Sequence, residues 1–488
     1  MGTQAAILDK TGEDTTETVL HMLRILGSER TDAYGIASPY VTRTANVLKK
    51  LQSSKLHTSI SIGHTFSKIL PRDKKQPISL GNASFVFEGR IFPTDTHVSD
   101  AEIFAKKIQE NRTENAKKFL QETEGNFAFA IAEPERLVAG RDLLGIRPLY
   151  YGENTVVAAI ASERKALWAI GIKNVNSFPP GAIAEIDRHG FRFSFTKKIL
   201  HREPGHLTMK KASNDLVKLL KKAVNENTTE LKRVAVSFSG GLDSSIIAFL
   251  AKRAGIDVEL IHVSMANQAE TEHAKEAAAE LKLPIHVYTY NEADVLSTLP
   301  HVLRLIEESD PVKASIGLPF YWVAENAAKL KCKILFAGQG GDELFGGYKR
   351  YVDEYIHEGR DSVLCTMFQD IVKLHENNLE RDFKICNSKG IELRLPFATN
   401  EMVNFSLSLP LELKLEPKDD TPRKLVLRQA GRNLGLPGSM VNRPKKAMQY
   451  ATGISRTLNK IAKRKNQSLQ VYLQTVFQTV FPELTTHD

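Results

Sequence analysis

The stretch Arg233-Val-Ala-Val-Ser-Phe-Ser-Gly-Gly-Leu-Asp-Ser-Ser-Ile-Ile-Ala-Phe-Leu250 is compatible with few folds. Val234 to Phe238 is an apolar run of strand length, Ser239 to Ser245 holds two adjacent glycines, and the residues from Ser245 to Lys252 have the apolar density of a helix. Strand, glycine turn and helix in that order set unpaired N–H groups and the positive end of a helix dipole beside backbone that no Cβ shields. A phosphate is the natural guest. Serine hydroxyls add donors, and Asp243 can hold a metal or orient the loop. Read alone, the same residues make a plain turn with Asp243 or Ser244 as the helix N-cap. The rest of the chain decides between the two.

A chain of 488 residues is too long for one core, and roughly 150 residues per domain implies two or three. It has no apolar run near the ~20 residues that span a bilayer. The opening Met1-Gly2-Thr3-Gln4-Ala5-Ala6 has neither the basic region of a signal peptide nor the Ser or Thr that a myristoylation signal needs at Ala6. Cys332, Cys365 and Cys386 show no metal-ligand spacing, and an odd count gives no disulfide framework. These features predict a cytoplasmic protein without membrane attachment. The net charge of +9 arises from 66 basic and 57 acidic residues spread along the chain, with short runs only at Lys210-Lys211, Lys445-Lys446 and Lys463 to Lys465. That pattern predicts a solvated surface suited to phosphorylated substrates rather than a nucleic-acid partner.

From Ala5 to about Glu185 short alternating apolar runs are separated by turn residues, among them Thr58 to Gly63, Ala83 to Phe87, Asn126 to Ile131 and Ala182 to Ile186, with helical segments at Asp100 to Gln109 and Ala116 to Thr123. An α+β layered domain over residues 1–200 follows. After a basic connector near His201 to Lys211 the texture becomes alternating strand and helix. Val234 to Phe238, Glu259 to Met265, Ile285 to Tyr290 and Lys333 to Ala337 are predicted strands of a parallel α/β sheet, in a domain over residues 212–455. The tail, 456–488, is predicted partly helical, with Leu469, Leu473, Val476 and Val480 on one face and no assigned role. A second glycine-rich stretch, Ala337-Gly-Gln-Gly-Gly-Asp-Glu-Leu-Phe-Gly-Gly-Tyr348, directly follows a predicted strand, as the first does. Each loop carries an aspartate.

The N-terminal segments Gly63-His64, Phe87 to Phe92, Ser99 to Glu102, Gly125 to Ala130, Gly140 to Tyr151 and Ala161 to Leu167, in that order, resemble the N-terminal-nucleophile glutaminase domain of class II amidotransferases with the spacing of asparagine synthetases. The paired loops, with Ile306 to Pro311, Leu318 to Tyr321, Gly390 to Phe397 and Arg443 to Lys446, resemble the ATP-pyrophosphatase domain of asparagine synthetases and their β-lactam synthetase relatives. The resemblance implies an N-terminal-nucleophile sandwich followed by an ATP-pyrophosphatase domain. It also implies that Ser239, Gly240, Gly241, Asp243, Ser244 and Ser245 cradle pyrophosphate, that Asp243 and Asp342 hold Mg²⁺, and that Val263, Ser264 and Gly338 contact the adenosine of ATP. Lys445 would stabilise the transition state, although the residues Lys445-Lys446 also read as a solvated basic turn after Pro444.

The departures fall on the chemistry. Gly2 stands where the glutaminase family has its cysteine nucleophile, and no cysteine precedes Cys332. Phe66 replaces a carboxylate-binding arginine, Glu88 an oxyanion donor and Arg90 an acid, while Asp100 remains as a remnant of the glutamine site. Gln339 occupies a position where many relatives have Glu or Tyr, and its amide cannot take a proton. Glu392 is the candidate base, or a structural partner of Arg394. Thr399 stands where asparagine synthetases commonly have Asp.

Three readings result. The first is an ATP-dependent ligase that converts aspartate to asparagine through β-aspartyl-AMP with free ammonia, or ammonia from a separate glutaminase, as a homo-oligomer. The second is a ligase for another acid, and the third a silent homologue that acts by binding.

Overall fold

The computed structural model describes residues 2–93, 95, 97–418, 421–444 and 448–484. Lys445, the expected transition-state lysine, lies outside the described residues. The chain divides into two compact units: one runs to Ile199 and takes in Asn387–Gly390, the other holds Leu200–Cys386 and the chain from Ile391.

The first unit is a sandwich of two antiparallel sheets between helices. Its strands are β1 (Gly2–Asp9), β2 (Ala33–Ala37), β3 (Thr42–Ala45), β4 (Ile60–Phe66), β5 (Ile78–Ser79), β6 (Ser84–Phe92), β7 (Glu124–Ala132), β8 (Leu137–Arg141), β9 (Tyr150–Glu153), β10 (Val157–Ala161), β11 (Asn176–Ser177), β12 (Ala182–Asp187) and β13 (Gly190–Phe195). One sheet has the order β11-β9-β10-β1-β4-β2-β3, the other β13-β12-β8-β7-β6-β5. Strand β7 shows how sequence sets the layers. Ala128, Ala130 and Ala132 face the opposing sheet in one buried cluster, whereas Phe127, Phe129 and Ile131 join a second cluster with helices α2 (Asp100–Lys107) and α3 (Arg112–Glu122). Period-two alternation of small and large residues puts alanines where two backbones must approach and aromatics where helices must be reached. On the other sheet, α1 (Thr16–Leu26) buries Val19, Leu23 and Leu26 against Ala5, Ile7 and Ile36.

The second unit has five parallel strands, β14 (Arg233–Ser237), β15 (Asp257–Met265), β16 (Ile285–Tyr290), β17 (Ile334–Phe336) and β18 (Glu392–Arg394), in the order β16-β15-β14-β17-β18. The chain moves outward through α6 (Leu242–Arg253) and α7 (Ala269–Leu281), then returns through α8 (Glu292–Ile306) and α9 (Pro311–Lys329) to the other side of β14. (α4, Arg164–Trp168, and α5, Met209–Thr228, precede these.) Because parallel crossovers are right-handed, this reversal puts α6 and α7 on one face and α8 and α9 on the other. The connections leaving β14 and β17 therefore diverge, and a crevice opens at the strand ends between them. In the tail, the helix Leu469–Val480 buries Tyr472 and Leu473. Among the described residues no helix is long and apolar enough to cross a membrane.

Candidate active site

Both glycine loops lie at that crevice. After β14 the chain turns through Phe238 to Gly241, and α6 begins at Leu242 with Gly241 as its N-cap and no capping side chain. The capped-turn reading, with Asp243 or Ser244 as N-cap, is thereby corrected. Asp243 lies in the first turn of the helix instead, its carboxylate free to serve another group. Within the loop the Gly241 N–H donates to Ser239 Oγ at 3.2 Å, and Ser244 Oγ donates to the Gly241 carbonyl at 3.2 Å. The second loop follows β17 and enters α10 (Gly341–Phe345). A Cβ on Gly338 would lie 2.9 Å from Asp243 Cβ, and one on Gly347 would lie 1.9 Å from Asp342 Oδ1. Side chains are excluded there because the two aspartates occupy the space.

Lys424, which the sequence reading missed, joins them. Its ammonium lies 2.5 Å from Asp243 Oδ2 and 2.7 Å from Asp342 Oδ1, and the residue is 2% exposed. The one available signal was a lysine and an arginine four apart, Lys424 and Arg428, opening the amphipathic helix Leu425–Leu434. A second cation covers the first loop: Arg443 Nη1 donates to the Ser239 carbonyl at 3.0 Å, and Nη2 pairs with Glu270. Asp243 Oδ1 is buried without a hydrogen-bond partner. Two carboxylates with one uncommitted oxygen fit Mg²⁺, which takes one or two protein carboxylates and completes its shell with substrate phosphates and water. Among the described residues no cluster of three or more His, Cys, Asp or Glu could hold a metal unaided, so such a cation would depend on the nucleotide.

A cavity of about 670 Å³ opens between the loops, in the size range of small-molecule sites. Of the expected residues, Ser239, Asp243, Ser244, Val263, Gly338 and Asp342 line it. Gly241 borders an adjoining recess with Lys424 and Arg443, and Gly240 packs under the Arg443 guanidinium. Three of the other expected residues do not line the cavity. Ser245 is 0% exposed on the buried side of α6, with its hydroxyl unpartnered. Ser264 is turned away and shares a hydrogen bond with Thr271 at 2.9 Å. Glu392 does not line the cavity: it is fully buried on β18, where it accepts from Arg394 Nε at 2.7 Å, and Arg394 in turn holds the Asn227 carbonyl. A parallel strand buried on both faces leaves its side chains no solvent, so the carboxylate satisfies a guanidinium.

The carboxylate that does reach the cavity beside the aspartates is Glu343. Burial and the neighbouring Asp342 charge push its carboxyl above the ordinary value. Tyr348 and Asn378 both donate to its Oε1, at 2.5 and 2.7 Å. Further along the wall Arg350, Asp370 and Arg381 supply charge of both signs.

The first unit holds the residues expected of a glutaminase remnant, assembled differently. A Cβ on Gly2 would lie 1.5 Å from the Thr65 carbonyl oxygen. The Gly2 N–H instead donates to Glu88 Oε2 at 2.8 Å, and the other carboxylate oxygen pairs with His64, which together with Arg147 holds Glu88 below its usual value despite burial. Asp100, the expected amine-holding remnant, accepts from Arg90 Nη1 at 3.0 Å and from the Ile91 N–H at 3.0 Å, with Arg72 at 3.3 Å. Two guanidiniums and a backbone N–H thus occupy its carboxylate. About 20 Å³ of space remains beside them, room for about one water molecule rather than a glutamine side chain.

Comparison with known proteins agrees with this division. The Asparagine synthase family matches residues 215–365 and 356–483, and the Glutamine amidotransferase domain matches residues 57–169. A Methanocaldococcus jannaschii protein named "Putative asparagine synthetase (glutamine-hydrolyzing) 1" is 30% identical over 76% of this chain and 75% of its own length. The asparagine synthetase (glutamine-hydrolyzing) of Sandersonia aurantiaca is 26% identical over 73% of this chain and 69% of its own. Among solved structures, the Bacillus subtilis glutamine phosphoribosylpyrophosphate amidotransferase aligns at a TM-score of 0.35 and 15% identity, covering 59% of this chain and 81% of that one. With the Asparagine synthase family matching more than half the chain and a relative 30% identical over 76% of it, the protein belongs to the asparagine synthetase family.

Proposed function

We propose that this protein is a carbon–nitrogen ligase that activates aspartate with ATP as β-aspartyl-AMP and forms asparagine with ammonia rather than with nitrogen from its own glutamine hydrolysis. The observation that carries the proposal is a contrast. The second unit keeps two phosphate-side aspartates and a loop of backbone donors facing one cavity, whereas the first has no room for a side chain at Gly2.

In this reading an aspartate carboxylate oxygen attacks the α-phosphorus of ATP, and the bond to the bridging oxygen of the β-phosphate breaks. Two anions must meet, so the site has to neutralise charge on the departing pyrophosphate. The N–H groups of the Ser239 loop, the Ser239 and Ser244 hydroxyls, Lys424 and Arg443 supply donors and positive charge there. Asp243 and Asp342 would hold Mg²⁺, which when bound shields the phosphate oxygens from the incoming carboxylate. Val263 and Gly338 form the wall proposed for adenosine, and Lys445 is proposed to stabilise the transition state.

Ammonia then attacks the acyl carbon, AMP leaves, and the nitrogen sheds a proton. Glu343, raised by burial and held on one oxygen by Tyr348 and Asn378, is the cavity carboxylate suited to receive it. A separate glutaminase acting in trans is the alternative source of that ammonia.

The test measures pyrophosphate release with aspartate and either ammonium chloride or glutamine. Release that needs aspartate and ammonium supports the proposal. Equal rates with glutamine would refute the closed first site, and release with another carboxylic acid but none with aspartate would refute the substrate.

A further inference from the structure

Gln339 stands in the cavity wall, and its side chain is held from behind. Its Nε2 donates to Asp382 Oδ2 at 2.6 Å. Asp382 is 0% exposed and sits in a guanidinium fork: Arg381 Nε reaches Oδ1 at 2.7 Å and Nη2 reaches Oδ2 at 3.1 Å. A carboxylate in that fork is an acceptor only. Burial pushes the Asp382 carboxyl up, but the Arg381 charge and the donors on both oxygens act against protonation. An amide facing it must therefore turn its NH₂ toward the carboxylate. The opposite end of that amide, Oε1, is then the end offered to the cavity.

Resting on the ligase reading above, we propose that Asp382 is a positioning residue that locks Gln339 in one amide orientation, so that Gln339 Oε1 binds the nitrogen substrate through its N–H groups. An acceptor at this wall favours ammonia, ammonium or a small primary amine, all of which carry N–H donors. A neutral amide oxygen orients the nitrogen but takes no proton from it, so binding and deprotonation fall to different groups.

The orientation has a specific way to fail. In Asp382→Asn only one oxygen remains, and the Arg381 fork claims it. The new NH₂ would then face Gln339, the glutamine would flip, and a donor would meet the incoming nitrogen.

The experiment uses the full chain and two assays: ATP–pyrophosphate exchange dependent on aspartate, which needs no amine, and product formation across a range of ammonium chloride. The expected result for Asp382→Asn is a rise of tenfold or more in the KM for ammonium, with exchange within threefold of wild type. Gln339→Leu, which removes the acceptor and leaves Asp382 to the Arg381 fork, should raise the same KM, and the double variant should be no worse than the more affected single one, since both remove one interaction. An unchanged ammonium KM in Gln339→Leu overturns the proposal. So does a loss of exchange in proportion to product formation in Asp382→Asn, which would mark a structural role. A wild-type chain without aspartate-dependent exchange would refute the ligase reading itself, a different and separable outcome.

Discussion

Lys424 Nζ lies 2.5 Å from Asp243 Oδ2 and 2.7 Å from Asp342 Oδ1, so the two loops at the crevice are tied by one nearly buried ammonium. Without a cation, two carboxylates brought together by Gly338 and Gly347 would repel each other in a poorly solvated place. Lys424→Met keeps most of the stem and removes the charge. It should cost about 3 kcal/mol in chelator, the scale for breaking a buried ion pair, and millimolar Mg²⁺ should restore more stability to the variant than to the wild type. Urea unfolding with and without Mg²⁺ reads both, and an unaltered midpoint in chelator would rule the tie out.

Gly2→Cys supplies the missing thiol but not the space for it. The Cβ meets the Thr65 carbonyl oxygen, and the Glu88 carboxylate, 2.8 Å from the Gly2 nitrogen, would oppose negative charge developing beside the thiol. Glutamine-dependent ammonia release should stay at the wild-type background while ammonium-dependent synthesis continues. Restored glutaminase activity in this single variant would show that β1 moves more freely than its pairing implies.

Ser245 and Ser239 separate a packing serine from one at the cavity wall. The buried hydroxyl of Ser245 has no partner, and removing an unsatisfied polar group is neutral or stabilising by up to about 1 kcal/mol. Ser245→Ala should leave the KM for ATP within twofold. Ser239→Ala, at the cavity wall, should raise it about tenfold, the worth of a hydrogen bond to a charged group. Steady-state kinetics with varied ATP would decide, and equal effects would contradict the placement of Ser245.

Lys414 is 3% exposed, and its amine donates to Ser406 Oγ at 3.2 Å. Burial alone pulls its amine down to about 7. Between that value and the ordinary one near 10.4 the unfolded chain holds a proton that the folded chain does not. Stability therefore rises with pH across that window, and below about 7 the destabilisation is present in full. Lys414→Met should stabilise the protein by several kcal/mol at pH 7 and flatten the dependence between pH 7 and 9, as measured by denaturant unfolding. A variant with the wild-type slope would place the titration elsewhere.

Much of the second unit was legible because its signals are local. Apolar runs of strand length put β14, β15, β16 and β17 within two residues of their bounds, and glycines directly after two of them marked the ligand side. Ser245 and Glu392 lie off the cavity for a physical reason. A motif records which residues are near one another in sequence, whereas the face of α6 on which Ser245 falls and the burial of β18 depend on helices that pack from elsewhere. Lys424 escaped notice for the converse reason: it lies 181 residues from Asp243, in a segment with no motif of its own.

Hydrophobic period, glycine position and residue identity are written one residue at a time, and they were enough to set the two kinds of layer, the pair of glycine loops and the glycine at position 2. Tertiary structure alone decided the pairings of charge: Lys424 between two aspartates, Arg72 and Arg90 on Asp100, and Asp382 behind Gln339. A buried charge must find its opposite within a few ångströms, and which opposite is that close is a property of the folded chain.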